Sequence, residues 1–322
     1  MKLKYLFFCL ILIGFMGCES ESTSEGGEGT TTTTPEVSEK PSEPTYNLKW
    51  TVPNDYSFVQ KGKQAEKITF NPGSDQEQVS KLSITANRKF NIGKVDKEGA
   101  FGVTMNYMGV MGEFKGPSAK WLYDSNAAKD GEKAGGLEKL SGSSVQFRID
   151  PNTGQVIEVF DSEELANVLA VNGEKIESPD KVVREALQPE WYVFPDGAVK
   201  INEEWTREVK LKHQYQVALI STFKIASREN DRATIAFTGT ATPLAKAELV
   251  MGKTENGEDF YHELSGTTSG EIVVEEASGA FISQTTTATL EGQRIILDRN
   301  GLEKQRIPIK IEMESFSEYQ KN

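Results

Sequence analysis

The sequence has very few cysteines and histidines and no excess of positive charge. Its 322 residues include 2 cysteines and 2 histidines, and 48 acidic against 36 basic side chains give a net charge of −12. Two cysteines exclude a disulfide-stapled scaffold and a cysteine-rich zinc module. The charge argues against nucleic acid as a partner, because phosphate binding needs a local excess of Lys and Arg. A hydrophobic content of 37 % still provides a substantial core, so we expect a folded protein.

The sequence also lacks an apolar run long enough to cross a bilayer as a helix, which takes about 20 residues. Residues 5–13 (YLFFCLILI) form a shorter apolar run, preceded by Lys2 and Lys4. A positive start followed by a short apolar run is typical of an export signal. We therefore predict a signal peptide over residues 1–17.

The end of this segment, Gly14-Phe-Met-Gly-Cys18, resembles the bacterial lipobox. The resemblance implies that Cys18 becomes the mature N-terminus and carries a thioether-linked diacylglycerol and an N-acyl chain such as palmitate. Several acyl chains hold a protein on a membrane where one chain holds it only marginally. The alternatives are a plain secretory signal with a coincidental cysteine, or a membrane-embedded Cys9. If the lipobox is used, Cys9 is removed with the signal and no disulfide is possible in the mature chain.

Residues 18–46 have the composition of a disordered tether. Between residues 19 and 45, 25 of 27 residues are Ser, Thr, Gly, Pro or Glu, and seven glutamates against one lysine give a net charge of −6. Such a segment cannot bury enough apolar area to offset its chain entropy. Glu19 and Glu21 resemble the acidic signal that sends some lipoproteins to the cell surface. We expect an outer-membrane location. The sequence leaves two alternatives for the side of that membrane, the periplasmic face and the surface-exposed face.

From residue 47 to 322 the pattern is that of a single β-rich domain. Ile307, Ile309, Ile311 and Met313 alternate with polar residues or proline, which is the period of a strand with one buried face. One-sided alternation is typical of antiparallel sheets. We predict the α+β class, mainly antiparallel β.

Two stretches of this domain resemble each other. Leu82, Ile84, Phe90, Ile92 and Ala100 recur as apolar residues 133 positions later, without a gap. We predict pseudo-repeats over about 68–160 and 201–290, each a β-meander, which together form a curved sheet or half-barrel. The alternative is that strands of any all-β protein look alike by chance.

Between the two stretches, residues 161–188 have the pattern of short helices. Asp161 and Glu164 resemble a capping arrangement, and Ser178 followed by Pro179 is typical of a helix start. Pro189 is predicted to end the second helix. Because both helices are short and amphipathic, we expect them to pack on one face of the sheet.

Residues 145–159 (VQFRIDPNTGQVIEV) and 194–205 (FPDGAVKINEEW) resemble a family of bacterial envelope lipoproteins known only as a domain of unknown function. Members have a strand–Gly–strand hairpin and then a strand entry of the form Pro … Val-x-x-Gly-x-x-Trp, where Asn202 takes the place of the Gly here. The resemblance covers about residues 48–313 and implies an exported lipoprotein. The plan of a curved sheet covered by helices is also similar to the LolA-like carriers of lipid-modified proteins.

The motifs that carry chemistry in other proteins are incomplete here. Gly252-Lys-Thr lacks the first Gly of a phosphate loop, and Asp150-x-Asn152-x-Gly154 lacks the closing Glu of a calcium loop, so a turn is the better interpretation of both. Ser221 and Lys224 lie on opposite faces of a predicted strand. His213 and His262 have no zinc-ligand spacing. We therefore predict no catalytic residue, no metal and no cofactor.

The stretch 105–112 (MNYMGVMG) is the most ligand-like part of the sequence, since methionine adapts to varied apolar shapes. The candidate ligand-binding residues are Met105, Tyr107, Met108, Met111 and Phe114. The tryptophans either line a pocket or fill the sheet core, and core filling is the preferred interpretation.

The first hypothesis is a non-enzymatic, lipid-anchored envelope protein that binds an apolar molecule or a partner protein. The second is a scaffold or interaction module at the cell surface. A hydrolase that uses unpaired carboxylates ranks last, since Glu203-Glu204 or Glu275-Glu276 could act in catalysis only if a cleft raised the pKa of one carboxyl group.

Overall fold

A computed structural model describes residues 44–53, 55–127, 136–169, 176, 178–254 and 256–321 of the chain. The predicted signal peptide, Cys18 and most of the predicted tether lie outside the described residues. These parts of the interpretation therefore stay predictions, and so do the domain boundaries.

The described chain is dominated by long strands. In chain order these are β1 (Tyr56–Phe70), β2 (Gln78–Val95), β3 (Phe101–Lys115), β4 (Lys120–Asp124), β5 (Ser144–Ile149), β6 (Val156–Phe160), β7 (Glu204–Leu211), β8 (Val217–Glu229), β9 (Arg232–Pro243), β10 (Gly252–Lys253), β11 (Asp259–Glu275), β12 (Phe281–Leu297) and β13 (Glu303–Lys321). Two α-helices, α1 (Glu163–Leu169) and α2 (Pro179–Trp191), connect β6 to β7. The α+β class with mainly antiparallel β is confirmed.

All thirteen strands belong to one curved, open sheet with antiparallel pairing. The order is β6-β5-β3-β2-β1-β13-β12-β11-β9-β8-β7, while β4 pairs with β3 and β10 pairs with β11. The order β6-β5-β3-β2-β1 has the same form as β12-β11-β9-β8-β7, and β13 joins the two halves. Most of the repeated residues of the sequence fall on β2 and β8, which hold the same place in each half, while Ala100, Tyr215 and Ala233 lie just outside these two strands. A duplication remains a prediction.

Alternate residues of most strands are buried, and we call the face that carries them the inner face. On β2 the residues from Leu82 to Ile92 with even numbers are buried, and on β8 those from Val217 to Ile225 with odd numbers. This is the period-two pattern of the sequence, so the alternation predicted which side chains form the core.

Helix α2 lies between the two edge strands of the sheet and contacts both β6 and β7. The prediction that Pro189 ends this helix is wrong, because the helix continues to Trp191. Proline removes one backbone donor, but the amide of Tyr192 still donates to the carbonyl oxygen of Gln188 at 2.9 Å. The buried side chains of Glu190 and Trp191 hold this last turn against the sheet.

The indole of Trp191 is the centre of the aromatic core. Its ring lies 5.2 Å from that of Trp50, 5.4 Å from Phe147 and 5.5 Å from Phe90. Trp205 is also buried and stacks on Phe223. Core filling, rather than pocket lining, is therefore the role of these tryptophans.

Two tight turns hold the segment around Trp50 against the sheet, one in each half. The amide of Trp50 donates to Pro151 and the amide of Thr51 donates to Ser278. Gly154 and Gly279 close these turns at φ +78° and +69°. A Cβ on Gly154 would lie 1.8 Å from the carbonyl oxygen of Trp191, so only glycine fits there.

Candidate functional site

A narrow apolar cavity lies on the inner face of the second half of the sheet. The space between its walls totals about 410 Å³, including the part open to solvent. Within this space, the centre of a water molecule can occupy a volume of about 30 Å³. Its walls are formed by Leu211, Tyr215, Val217, Leu219, Ala241, Thr268, Thr286, Ala288, Leu290 and Met313. One water needs roughly 10–15 Å³ by this measure. A ligand larger than about two water molecules therefore has to displace the side chains of the walls.

The cavity walls are apolar except for the hydroxyls of Thr268, Thr286 and Tyr215. Thr268 donates to the carbonyl oxygen of Thr287 at 3.3 Å. Among the described residues, the buried hydroxyl of Thr286 has no hydrogen-bond partner. The phenol of Tyr215 donates to the sulfur of Met313 at 3.0 Å. The cavity thus combines an apolar lining, a flexible methionine and one hydroxyl that is available to a ligand.

A second interior feature is a buried polar cluster between α2 and the sheet. The guanidinium of Arg88 (β2) donates to both carboxylate oxygens of Glu190 (α2), at 2.9 and 3.0 Å. Gln60 accepts from Arg88 and donates to Glu190 at 2.8 Å and to Tyr319 at 2.8 Å. All four side chains are buried. We call Arg88, Glu190, Gln60 and Tyr319 the buried polar cluster.

Charge pairing keeps this cluster in one protonation state. Burial disfavours the charged form of Arg88, but the adjacent Glu190 outweighs it and the pKa of Arg88 is raised. Burial, together with Glu190, raises the pKa of Tyr319 well above its usual value, so the phenol stays protonated. Because these groups satisfy one another, the cluster fixes α2 to the sheet and leaves no unpaired acid or base.

A third feature lies at the end of β12, where Arg294 packs between two aromatic rings. Its guanidinium carbon is 4.8 Å from the ring centre of Phe70 and 4.6 Å from that of Phe260. Its Nε donates to Nε2 of His262 at 3.1 Å. Burial, and then the charge of Arg294, hold the pKa of His262 well below its usual value, so the ring is neutral. We call Arg294, His262, Phe70 and Phe260 the rim cluster.

The predicted ligand-binding residues of β3 do not share one face. Met105, Tyr107 and Phe114 are buried on the inner face, whereas Met108 and Met111 are 59 % and 46 % exposed. None of the five lines the cavity between β7 and β13. A ligand role for these residues stays a prediction.

The cavity walls and the rim cluster were not predictable from the sequence pattern. The alternation of Tyr215, Val217 and Leu219 assigned them to a buried face, but period two cannot tell a packed face from one that leaves a gap. Arg294 and His262 are 32 residues apart in the sequence and come together only through the register of β11 and β12.

The motif from Asp150 to Gly154 is a turn, as predicted, and Gly154 donates to the carbonyl oxygen of Asp150 at 2.8 Å. The Gly-Lys-Thr stretch is not itself a turn, because Gly252 and Lys253 form the short strand β10 against β11. The turn follows it, where Gly257 donates to Thr254 at 2.9 Å. His213 contacts Glu185 at 2.9 Å. In the part of the chain that the structure describes, no three His, Cys, Asp or Glu side chains are grouped as metal ligands, and no helix has the length and apolarity to span a membrane.

The fold and the cavity together define the class of protein. It is a curved antiparallel sheet with a helix that contacts both edge strands and an apolar gap on its inner face. The chain belongs to a family of unknown function (DUF6263), whose model matches residues 98–281, more than half of the sequence. No curated protein matches the chain.

Solved structures show distant likenesses. One described as "lipid-protein interactions in lipovitellin" has a TM-score of 0.46 at 11 % identity and covers 84 % of this chain, which spans 25 % of that protein's length. The COG4313 outer membrane channel from Pseudomonas putida F1 has a TM-score of 0.27 at 6 % identity, covering 88 % of this chain and 100 % of the channel. With scores below 0.5, neither likeness carries an argument about this protein.

Proposed function

We propose that this protein is a lipid-anchored protein of the cell envelope whose β domain binds an apolar molecule, without catalysis, in the cavity between β7 and β13. The observation that carries the binding proposal is the lining of that cavity, which is apolar apart from the hydroxyls of two threonines and one tyrosine. Ligand pockets are commonly apolar clefts with a few polar groups that fix orientation. The anchor rests on the lipobox-like end of the signal segment at Cys18.

The proposal that the protein has no catalytic activity is supported by the contacts of its buried titratable groups, which bind other protein side chains. Arg88 and Glu190 bind each other and are enclosed by Gln60 and Tyr319. His262 accepts a hydrogen bond from Arg294 and is neutral. None of these groups is placed beside the cavity walls as a free acid, base or nucleophile.

Binding is tested with the mature chain carrying Cys18→Ser, which takes no lipid and needs no detergent. Titration with a fluorescent fatty alcohol is expected to give a saturable rise in emission. Ala241→Leu adds bulk to the cavity wall and is expected to weaken binding. Ala236→Leu, on the outward side of the same strand, is the matched control and is expected to leave binding unchanged. A wild-type titration without saturation contradicts the proposed ligand binding.

The anchor is tested separately. Mass spectrometry of the mature protein is expected to show a diacylglyceryl, N-acylated Cys18 as the first residue. Cys18→Ser is expected to leave the membrane pellet for the soluble fraction. An unmodified N-terminus, or a variant that stays in the pellet, contradicts the anchor. Protease treatment of intact cells distinguishes the surface-exposed face from the periplasmic face.

A partner protein is the second candidate for this domain, as an interaction module. Its support is a group of apolar side chains on the outside of the sheet: Met108, Met111 and Leu122 are 59 %, 46 % and 68 % exposed. Met111 and Leu122 lie on the paired strands β3 and β4, two residue pairs apart. Crosslinking from Leu122 in cells is expected to capture an envelope protein, and capture that is unchanged in Met108→Ser/Met111→Ser contradicts this use of the patch.

A further inference from the structure

Arg294 differs from most arginines of this protein because no carboxylate neutralises it. Arg88, Arg148, Arg207, Arg228 and Arg306 each form an ion pair with Asp or Glu. Within the described residues, Arg294 forms none, and it contacts the neutral ring of His262 and the faces of two phenylalanines. Aromatic faces attract a cation, but they do not replace a hydrogen-bonding anion.

The lack of a carboxylate leaves donors unused. Only Nε of Arg294 has a hydrogen bond among the described residues, so the terminal nitrogens of the guanidinium have no protein acceptor there. Burial lowers the pKa of Arg294 to about 10, which still leaves it protonated at neutral pH. The side chain is partly exposed, so an anion from solution can reach it. A planar fork of this kind binds carboxylates and phosphates with two parallel hydrogen bonds.

The rim cluster lies on the same face as the cavity. Leu290 of the cavity wall and Arg294 are four residues apart on β12, about 13 Å along a strand. Between them Gly292 carries no side chain, and the residues opposite it, Leu264 on β11 and Ile309 on β13, are buried and apolar. The interior between the cavity and the guanidinium is therefore filled by apolar side chains.

Gln216 connects the two regions a second time. It stands between the cavity residues Tyr215 and Val217, and its side-chain oxygen accepts the backbone N–H of His262. His262 in turn accepts from Arg294. Two hydrogen bonds in series thus link the loop at the cavity wall to the guanidinium.

We propose that the ligand is an anionic amphiphile, with its apolar chain in the cavity and its single anionic headgroup on Arg294. This inference rests on the proposed function and adds to it the chemical class of the ligand. The neutral His262 holds the guanidinium from one side, so that the free nitrogens face the headgroup. The nearest chemical class is a long-chain fatty acid or an alkyl phosphate.

The test compares three probes of equal chain length, a fluorescent fatty acid, the matching fatty alcohol and the matching alkyl phosphate, on the full mature chain with Cys18→Ser. We expect at least one anionic probe to bind roughly tenfold more tightly than the alcohol or better, the size expected for a hydrogen bond to a charged group. Arg294→Met is expected to remove this preference while alcohol binding persists. Arg306→Met removes an equal charge from the exposed side of β13 and is expected to keep the preference.

The outcomes separate this inference from the proposed function. Alcohol that binds as tightly as both anions, or an Arg294→Met variant that keeps the preference, overturns the headgroup role and leaves apolar binding standing. Failure of all three probes overturns both. If Arg294→Met binds nothing, Arg294→Lys decides, because a retained cation is expected to preserve some preference for the anion, and its complete loss contradicts the inference.

Discussion

The two halves of the sheet have the same order of strands but different interiors. Beside β1 and β2 the inner face meets helix α2 through a buried ion pair and a dense group of aromatic rings. Between β7 and β13 the inner face leaves an apolar gap instead. One half therefore uses its inner face to hold the helix, while the other keeps a deformable space. The same backbone plan supports both uses because the inward side chains, and not the strand order, decide what the interior does.

The largest effect is expected from breaking the ion pair of the first half. Arg88→Met leaves the carboxylate of Glu190 buried and without its cation, which costs about 3–5 kcal/mol of the free energy of unfolding. Urea denaturation of the variant is the measurement. Arg148→Met, which removes an exposed arginine from a surface group of carboxylates, is the matched control and is expected to leave the midpoint nearly unchanged.

The double variant Arg88→Met/Glu190→Leu sharpens this result. It removes both charges, so no uncompensated ion remains in the interior, and we expect it to recover most of the lost stability. A double variant as unstable as Arg88→Met alone would contradict the view that the unpaired charge causes the loss.

The two glycine turns are expected to be equally intolerant although they lie in different halves. Gly154→Ala and Gly279→Ala each place a Cβ against a backbone oxygen, at 1.8 and 2.1 Å, in a left-handed conformation. We expect each to lower the free energy of unfolding by about 2–5 kcal/mol. Gly73 has a similar φ of +74°, but a Cβ there would meet open space. Gly73→Ala therefore measures how much the left-handed conformation alone lowers the free energy of unfolding. Equal losses at all three positions would show that the close contacts do not matter.

An identical substitution in each half measures the difference between a packed and an open interior. Ala86→Leu on β2 adds three carbon atoms to the packed core and is expected to cost about 1–3 kcal/mol in thermal or urea unfolding. Ala241→Leu on β9 extends into the cavity and is expected to cost less, because the gap accepts part of the added volume. A cost at Ala241 that equals or exceeds that at Ala86 would mean that the cavity walls are as rigid as the core.

Much of this architecture was predictable from local patterns. The alternation in β13, the start of α2 at Ser178-Pro179 and the turn at Asp150 to Gly154 are encoded within a few residues each. Asn202, which replaces the Gly of the family pattern, adopts φ +64°, a conformation that asparagine tolerates better than most residues. The helix end was mispredicted because Glu190 and Trp191 are held by partners more than 100 residues away in the sequence.

The candidate site was less predictable. A cavity forms where ten side chains, from six strands and one loop, leave a space unfilled, and no short window of sequence contains that information. The lack of a carboxylate partner for Arg294 is equally hard to predict from a short window of sequence, since it depends on which residues of β1 and β11 lie around it. The methionines in β3 were a compositional signal for adaptability, but β3 has a bulge at which Met108 is the extra, exposed residue. The bulge shifts the alternation by one residue, so that Met111 points outward.

The smallest effect is expected from pH, and it comes from the second half. His262 is neutral in the fold because burial and Arg294 lower its pKa well below the usual value of 6.5. In the unfolded chain it takes up a proton near its usual pKa, so below about pH 6.5 the unfolded state binds more protons than the folded state. Stability is then lost as the pH falls, by at most about 1.4 kcal/mol for each pH unit from this group, until the folded pKa is reached.

The measurement is urea denaturation of the wild type and of His262→Gln between pH 7.5 and about 5, a range that lies above the usual pKa of the carboxyl groups. Glutamine keeps an acceptor for Arg294 but does not titrate, so the variant is expected to show a flatter dependence on pH. The difference between the two curves belongs to His262, because groups elsewhere titrate equally in both proteins. Parallel curves would mean that the imidazole is protonated as readily in the folded protein as in the unfolded chain. That result would contradict the neutral state of His262 beside Arg294.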